Sequence, residues 1–302
     1  MTAGPVVVLG AGRRGLAHLR TLVSLGVGTI TVADHHAGRQ AEALALGAAH
    51  AVADLAAAAR IAHPEVVVVA TTVADHAGST LAALDLGAAV VVEKPVAHTP
   101  ADLDALAGIA IDRFVVAAHA ERWNPAVLAI AAARTAAAVR TAAFVRRGPA
   151  PATAVVGCDL DLAVHDLDLA RHLLGPVSVT TRRVEPATGP PTAIELTGTG
   201  GTARLDIRAG WAAQRERTIR LDLDDGGQLR ADLVREQAWS TDPRGVARPL
   251  EVGPTPSLSG FWAAVLVALA AGGQPPVALR DGLRAVALAT SGDPYDAAGA
   301  DV

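Results

Sequence analysis

The first third of the chain repeats one alternation, in which a short continuous apolar run is followed by a stretch with apolar residues at helical spacing. The apolar runs are Val6–Leu9, Ile30–Ala33, Val66–Ala70, Val90–Val92 and Val115–Ala118. Leu16–Leu25 and Arg39–Leu46 are the clearest helical stretches between them. Runs of β-branched residues without polar alternation suit strands buried on both faces. Separated by helices, they predict a doubly wound, parallel α/β sheet over residues 1–120.

Beyond residue 120 the pattern changes. A helical stretch, Pro125–Ala138, precedes a strand at Thr141–Arg146. Apolar and polar residues then alternate through Ala193–Leu196, Thr202–Arg208 and Thr218–Asp224, with Gly198, Gly200–Gly201 and Gly226–Gly227 read as turns. Ser257–Thr290 is helical again. Residues 121–302 are therefore expected to form an α+β domain with an open, mostly antiparallel sheet covered by helices on one face. A bare sheet face favours self-association, so a homodimer or homotetramer through this sheet is expected.

Composition narrows the function classes. With 51% apolar and 19% charged residues in 302, the chain has the makings of two globular domains. Its net charge is −4 and no run concentrates Arg or Lys, which argues against a nucleic-acid partner. The single cysteine, Cys158, excludes an intramolecular disulfide and a zinc cluster, and no metal is expected. The opening MTAGPVVVLGAG lacks a basic region before its apolar run, and FWAAVLVALAAGG is too short to span a bilayer. A cytoplasmic protein without a membrane partner is the resulting expectation.

The turn after the first apolar run, Gly10-Ala-Gly12-Arg13-Arg14-Gly15, fits G-x-G-x-x-G between a strand and a helix. In a dinucleotide fingerprint the first glycine makes the tight turn, the second lets a pyrophosphate approach, and the third lets helix and strand pack closely. Free amides at the helix start then bind the phosphates. Asp34 ends the second run 19 residues after Gly15, where a carboxylate accepts hydrogen bonds from a ribose. An anion there repels a 2′-phosphate and favours NAD, while neighbouring His35, His36 and Arg39 keep NADP possible.

The fourth run ends in Glu93-Lys94-Pro95, and ligands of an open parallel sheet bind beyond the carboxyl ends of its strands. A partly desolvated lysine can exchange protons with a hydroxyl. Lys94 is also the only lysine, against 25 arginines, and arginine cannot give up a proton usefully. Further on, Asp161, His165, Asp168 and His172 recur at helical steps. A carboxylate four residues before a histidine can fix its tautomer while the imidazole acts as acid or base. A solvent-facing polar stripe accounts for the same spacing, above all for Asp168 and His172.

These motifs resemble the Gfo/Idh/MocA family, the glucose–fructose oxidoreductases and inositol dehydrogenases, over essentially the whole chain. The resemblance rests on GAGRRG at 10–15, Thr71-Thr72-Val-Ala-Asp-His76, Glu93-Lys94-Pro95 and Asp161-x-x-x-His165. It implies a Rossmann domain followed by an α+β substrate domain, and a nicotinamide-dependent dehydrogenase that turns a sugar's secondary alcohol into a ketone. It implies Lys94, Asp161 and His165 as the catalytic set, with Thr71, Thr72, His76 and Glu93 along the cofactor. On residues alone, His76 could equally cap its helix. His119-Ala-Glu-Arg122-Trp123-Asn124-Pro, Arg147-Gly-Pro and the Asp161–Asp168 segment resemble the UDP-N-acetylglucosamine 3-dehydrogenase branch. A nucleotide sugar is then the expected substrate, lined by Lys94, Arg122, Trp123, Asn124, Asp161 and His165. Trp123 stands where that branch usually has Phe. Arg146 and Arg147 could grip a diphosphate or be solvated strand-end charges. Inositol, a free sugar, or a non-catalytic dinucleotide-sensing role are the competing readings.

Overall fold

A computed structural model describes residues 4–61, 63–109, 112–134, 136–151, 155–186 and 190–292. The chain forms two compact units. One comprises the chain up to His119 together with Leu258–Leu283. The other comprises Ala120–Ser257 and the chain from Arg284 onward.

The first unit is built on six parallel strands, β1 (Val6–Leu9), β2 (Ile30–Ala33), β3 (His50–Val52), β4 (Val66–Val69), β5 (Ala89–Val92) and β6 (Val115–Ala117). Their order across the sheet is 3-2-1-4-5-6, the doubly wound arrangement with a switch point between β1 and β4. Helices α1 (Arg13–Ser24), α2 (Ala37–Ala45), α3 (Leu55–Ile61), α4 (His76–Asp85) and α5 (Pro100–Ala107) connect them. Val6–Val8, Val66–Val69 and Val90–Val92 are each at most 2% exposed, as continuous apolar strands require. Thr99 and Asp102 close a capping box at the start of α5, with Pro100 at its first position. β3 carries no apolar run to announce it. It is an edge strand, with His50 exposed and its neighbours half-buried.

The second unit opens with a 3₁₀ turn at Ala120–Trp123 and α6 (Pro125–Ala132), which ends before the expected Ala138. Thr135, inside that expected stretch, lies outside the described residues. After β7 (Val139–Gly148) comes a π turn at Asp159–Ala163, running into α7 (Val164–Leu174). Then follow β8 (Val177–Glu185), β9 (Ala193–Gly200), β10 (Ala203–Trp211), β11 (Glu216–Leu223), β12 (Gln228–Asp232), β13 (Gln237–Thr241) and β14 (Ala247–Pro249). The eight strands lie in the order 14-13-12-11-7-10-9-8, antiparallel except for the parallel pair β7–β10. Buried and exposed residues alternate along β9, β11 and β12, so one face is packed and the other open. Gly198 is not a turn. It sits within β9, where a Cβ would lie 1.9 Å from the Ser178 carbonyl oxygen, so strand contact requires glycine.

The carboxyl-terminal helices are α8 (Ser257–Ala270) and α9 (Leu279–Thr290). Sequence division at residue 120 assigned both to the second domain, whereas Leu258–Leu283 cluster with the first unit. There Ala117 donates its amide to the Val277 carbonyl at 3.1 Å, and Phe261, Trp262 and Val265 are fully buried. An apolar helix packs wherever a core will bury it, and its position in the sequence does not say which core that is.

Candidate active site

The glycine loop of the first unit is shaped for a dinucleotide. Gly10 has φ +93°, and a Cβ there would meet the Ala70 carbonyl oxygen at 2.5 Å. A Cβ on Gly15 would sit 1.8 Å from the Gly10 carbonyl oxygen, so the helix packs directly on the turn. At Gly12 a Cβ would meet nothing within 4 Å, which leaves the backbone open to an approaching phosphate. Gly12 caps α1 without any side-chain hydrogen bond, and no acidic residue occupies the first turn. The first amides of the helix and its dipole therefore face outward as an anion site.

Asp34, at the carboxyl end of β2, is 6% exposed. Its Oδ2 accepts from the Ala11 amide at 2.8 Å and its Oδ1 from the His36 amide at 2.9 Å. Burial pushes its carboxyl upward, but these amides and the nearby Arg39 outweigh it and hold the group below the usual carboxylate range. Arg39 Nη1 lies 3.5 Å from Oδ2, and the exposed rings of His35 and His36 stand 4.0 Å apart. Thr71 and Thr72 follow β4 across the switch point, Thr71 half-buried and Thr72 exposed with its hydroxyl donating to Asp75. The open loop, ionised Asp34 and threonines lie along one edge of the sheet. They fit a dinucleotide.

Lys94 follows β5 on that edge and is half-buried. Two neighbours expected along the cofactor face inward instead. Glu93 is 2% exposed, and its Oε1 accepts from Arg14 Nε at 2.8 Å and Nη2 at 2.6 Å, and from His18 Nε2 at 2.8 Å. Its Oε2 accepts from the Lys94 amide at 3.2 Å. Burial opposes ionisation, yet Arg14 and the His18 hydrogen bond overcome it and hold the carboxyl far below its ordinary range. Arg14, expected with Arg13 to bind the cofactor, lends its guanidinium to Glu93, while Arg13 stays exposed. His76 is 3% exposed, and its Nδ1 donates to the Pro95 carbonyl oxygen at 2.8 Å. Burial lowers its proton affinity more than the Pro95 and Thr71 carbonyls and Glu93 raise it. His76 thus braces the Lys94–Pro95 turn.

In the second unit Asp161 and His165 are both part-exposed. Asp161 lies in the π turn and His165 in the α-helix proper. Such turns are rare and often found at functional sites. Of the rest of the polar stripe, His172 is exposed and Asp168 is buried. Asp168 is 1% exposed and takes both prongs of Arg122, Nε at 2.9 Å and Nη2 at 2.6 Å. Arg122, expected to line the substrate, is thereby joined to α7. Asn124 is 3% exposed and caps α6, accepting from the Ala126 amide at 3.0 Å and donating to the Leu233 carbonyl at 3.2 Å. Trp123, between them, is half-buried.

Arg146 and Arg147 do not form a diphosphate clamp. Arg146 is 0% exposed and its Nε donates to Asp166 Oδ1 at 2.9 Å, with Glu121 3.6 Å from Nη1. Burial opposes its charge, but Asp166 and Glu121 outweigh it and keep the guanidinium firmly protonated. Successive strand residues point to opposite faces. Arg146 therefore faces α7, while Arg147 lies on the open face, 3.8 Å from its cross-strand neighbour Glu216. Asp166 and Glu121, to which the sequence assigned no role, complete this cluster with Arg217, which donates to Glu121 at 3.0 Å.

With the geometry in place, comparison with known proteins places the chain. Residues 5–120 match the family model described as an oxidoreductase family with an NAD-binding Rossmann fold. The first unit's Rossmann residues thus match the Gfo/Idh/MocA oxidoreductase family model over 5–120. No curated protein matches it. Among solved structures, UDP-N-acetylglucosamine 3-dehydrogenase from Acidithiobacillus ferrooxidans superposes with a TM-score of 0.81 at 23% identity, over 96% of each chain. Levoglucosan dehydrogenase in complex with NADH and levoglucosan gives 0.83 at 18% identity, over 94% of this chain and 95% of that one. An oxidoreductase domain protein from Kribbella flavida gives 0.81 at 21%, over 96% of each. The chain thus shares its fold with these proteins along nearly its whole length. No helix of the described residues is long and apolar enough to cross a membrane.

Proposed function

We propose that the chain is an NAD-dependent dehydrogenase that oxidises a secondary hydroxyl of a sugar to a ketone. One observation carries the reading: the only lysine of the chain follows β5, on the same sheet edge as the open glycine loop and Asp34. Gly12 and the first amides of α1 hold the pyrophosphate, Arg13 adds charge beside it, and Asp34 accepts from the adenosine ribose. The ionised Asp34 disfavours a 2′-phosphate, so NAD is preferred over NADP. NAD, when bound, supplies the hydride acceptor.

The proton chemistry falls to Lys94 and His165. His165 takes the hydroxyl proton as principal base and Lys94 polarises the oxygen, with Asp161 orienting the imidazole. The reverse assignment of base and polariser uses the same residues. Trp123, beside the Arg122–Asp168 pair, remains the substrate-lining candidate of its segment.

Likeness to the UDP-N-acetylglucosamine enzyme supports a nucleotide sugar as substrate. A free sugar is the second reading, favoured by the commitment of Arg146 to Asp166 and by the likeness to levoglucosan dehydrogenase. The open face of the eight-stranded sheet, where Val145, Thr218, Arg220 and Trp239 line a shallow depression, is the surface proposed to meet a second copy. Absorbance of NADH formed from NAD with UDP-N-acetylglucosamine, and in parallel with myo-inositol, tests the assignment. Signal only with the nucleotide sugar supports the first substrate. Signal only with inositol keeps the chemistry and discards that substrate. Silence across a panel of sugars and nucleotide sugars, despite measurable NADH binding, overturns the dehydrogenase reading.

A further inference from the structure

Two side chains that no motif singles out meet beneath Lys94, inside the first unit. His18, on α1, is 0% exposed, and its Nδ1 lies 2.9 Å from Trp262 Nε1 on α8. The two rings meet edge-on, centroids 5.7 Å apart. An indole N–H can only donate. Nδ1 of His18 must therefore be the bare nitrogen, and the one ring proton sits on Nε2, which donates to Glu93 at 2.8 Å. A doubly protonated ring would set one N–H against another. The hydrogen bonds thus specify a neutral imidazole in a single tautomer.

We propose that His18 is a positioning residue for the dehydrogenase chemistry, acting through Glu93 on Lys94, with Trp262 fixing its tautomer. The functional half rests on the reading of Lys94 given above. Oε1 of Glu93 is held by Arg14 and His18, and Oε2 holds the backbone amide of Lys94. The carboxylate is therefore a buried bracket whose two ends are α1 and the first bond of the lysine. Trp262 keeps His18 a donor toward Glu93, since a ring flipped or protonated at Nδ1 would leave the indole N–H buried without an acceptor. The charged groups gathered at His18 are Glu93, which it contacts, and Arg14 on the same carboxylate oxygen, and α8 contributes only the uncharged indole face. With His18 neutral, Arg14 and Glu93 balance beside Lys94.

Because Lys94 is the only lysine, ¹³C-lysine labelling of the full chain gives one side-chain signal, a readout independent of any substrate. ¹⁵N-histidine spectra at neutral pH report the tautomer, with His18 assigned by its loss in His18→Gln. The expected wild-type pattern is protonated Nε2 and bare Nδ1. A proton on Nδ1 overturns the proposal. Trp262→Phe keeps the ring and removes the donor. It is expected to move or broaden the Lys94 signal and to lower kcat about tenfold without changing KM or NADH affinity, the scale typical of outer partners that orient a working group. A folded Trp262→Phe with the wild-type Lys94 signal and kcat overturns it. Should that variant fail to fold, His18→Gln, which keeps an N–H for Glu93, is expected to retain more turnover than His18→Leu. Equal turnover in the two overturns the positioning role. If Lys94→Met keeps full turnover while the tautomer and the Lys94 signal behave as expected, the catalytic reading fails and the bracket stands.

Discussion

Arg146→Met gives the sharpest test of how the second unit is held together. The guanidinium is 0% exposed and its Nε bonds Asp166 Oδ1 at 2.9 Å, while Asp166 itself is 2% exposed. Burial already lifts the Asp166 carboxyl above its ordinary range against the pull of Arg146. Methionine roughly preserves the volume but strands that carboxylate without its countercharge. Breaking one partner of a buried pair costs about 3–5 kcal/mol. Glu121 loses a contact at 3.6 Å but keeps Arg217 at 3.0 Å, so the damage centres on Asp166. In a unit of about 150 residues, where each kcal/mol moves Tm by about 2–4 °C, the unfolding midpoint should fall by ~6–20 °C. The double variant Arg146→Met with Asp166→Leu should recover most of the loss, because two apolar groups need no charge compensation. Thermal melts followed by circular dichroism, with urea unfolding as a check, measure both. A single variant that melts with the wild type, or a double variant no better than the single, would refute the reasoning. Normal stability with selective loss of nucleotide-sugar binding would instead restore Arg146 to the substrate.

Three further outcomes follow from the first unit. Gly15→Ala must push a Cβ against the Gly10 carbonyl and should lower both Tm and NADH affinity, whereas Gly12→Ala, with open space around it, should weaken NADH binding in fluorescence titrations while melting normally. Asp34→Ala removes the ionised carboxylate and should shift the ratio of kcat/KM values from NAD toward NADP; an unchanged ratio would count against its ribose role. His76 resists protonation when folded, so below the ordinary imidazole value of 6.5 the unfolded chain binds the extra proton and stability falls with pH. Compared with His76→Gln, the wild type should lose its advantage on acidification by at most about 1.4 kcal/mol per pH unit in urea unfolding, and a constant difference would show that His76 contributes no such dependence.

Strand, turn and motif were legible where one residue pattern has one physical meaning. The valine runs became β1, β2, β4, β5 and β6 within a residue or so at each end. Gly10, Gly12 and Gly15 met the three demands their motif encodes. β3 stayed hidden because an edge strand with exposed His50 needs no apolar run. For Arg146 and Arg147 the sequence left a diphosphate grip and solvated strand-end charges open, and neither reading foresaw the burial of Arg146. The alternation of a strand already sends them to opposite faces. The pairings of Arg122 and Asn124 were hidden for another reason: their partners, Asp168 and Leu233, lie 46 and 109 residues away, and no local spacing reports such pairing. The same holds for Trp262, 244 residues from His18. Its apolar helix was visible, but the acceptor waiting for its indole was not.

The central claim is that Lys94 handles the proton of a sugar hydroxyl at an NAD site. Its most direct test compares wild type with Lys94→Met for NADH formation on the substrate found by profiling, with NADH binding measured in parallel by fluorescence. Turnover reduced by roughly a hundredfold or more with NADH affinity intact is the predicted result, given that positioned acid–base groups contribute about 10²–10⁴-fold. Wild-type turnover in the variant would contradict the account.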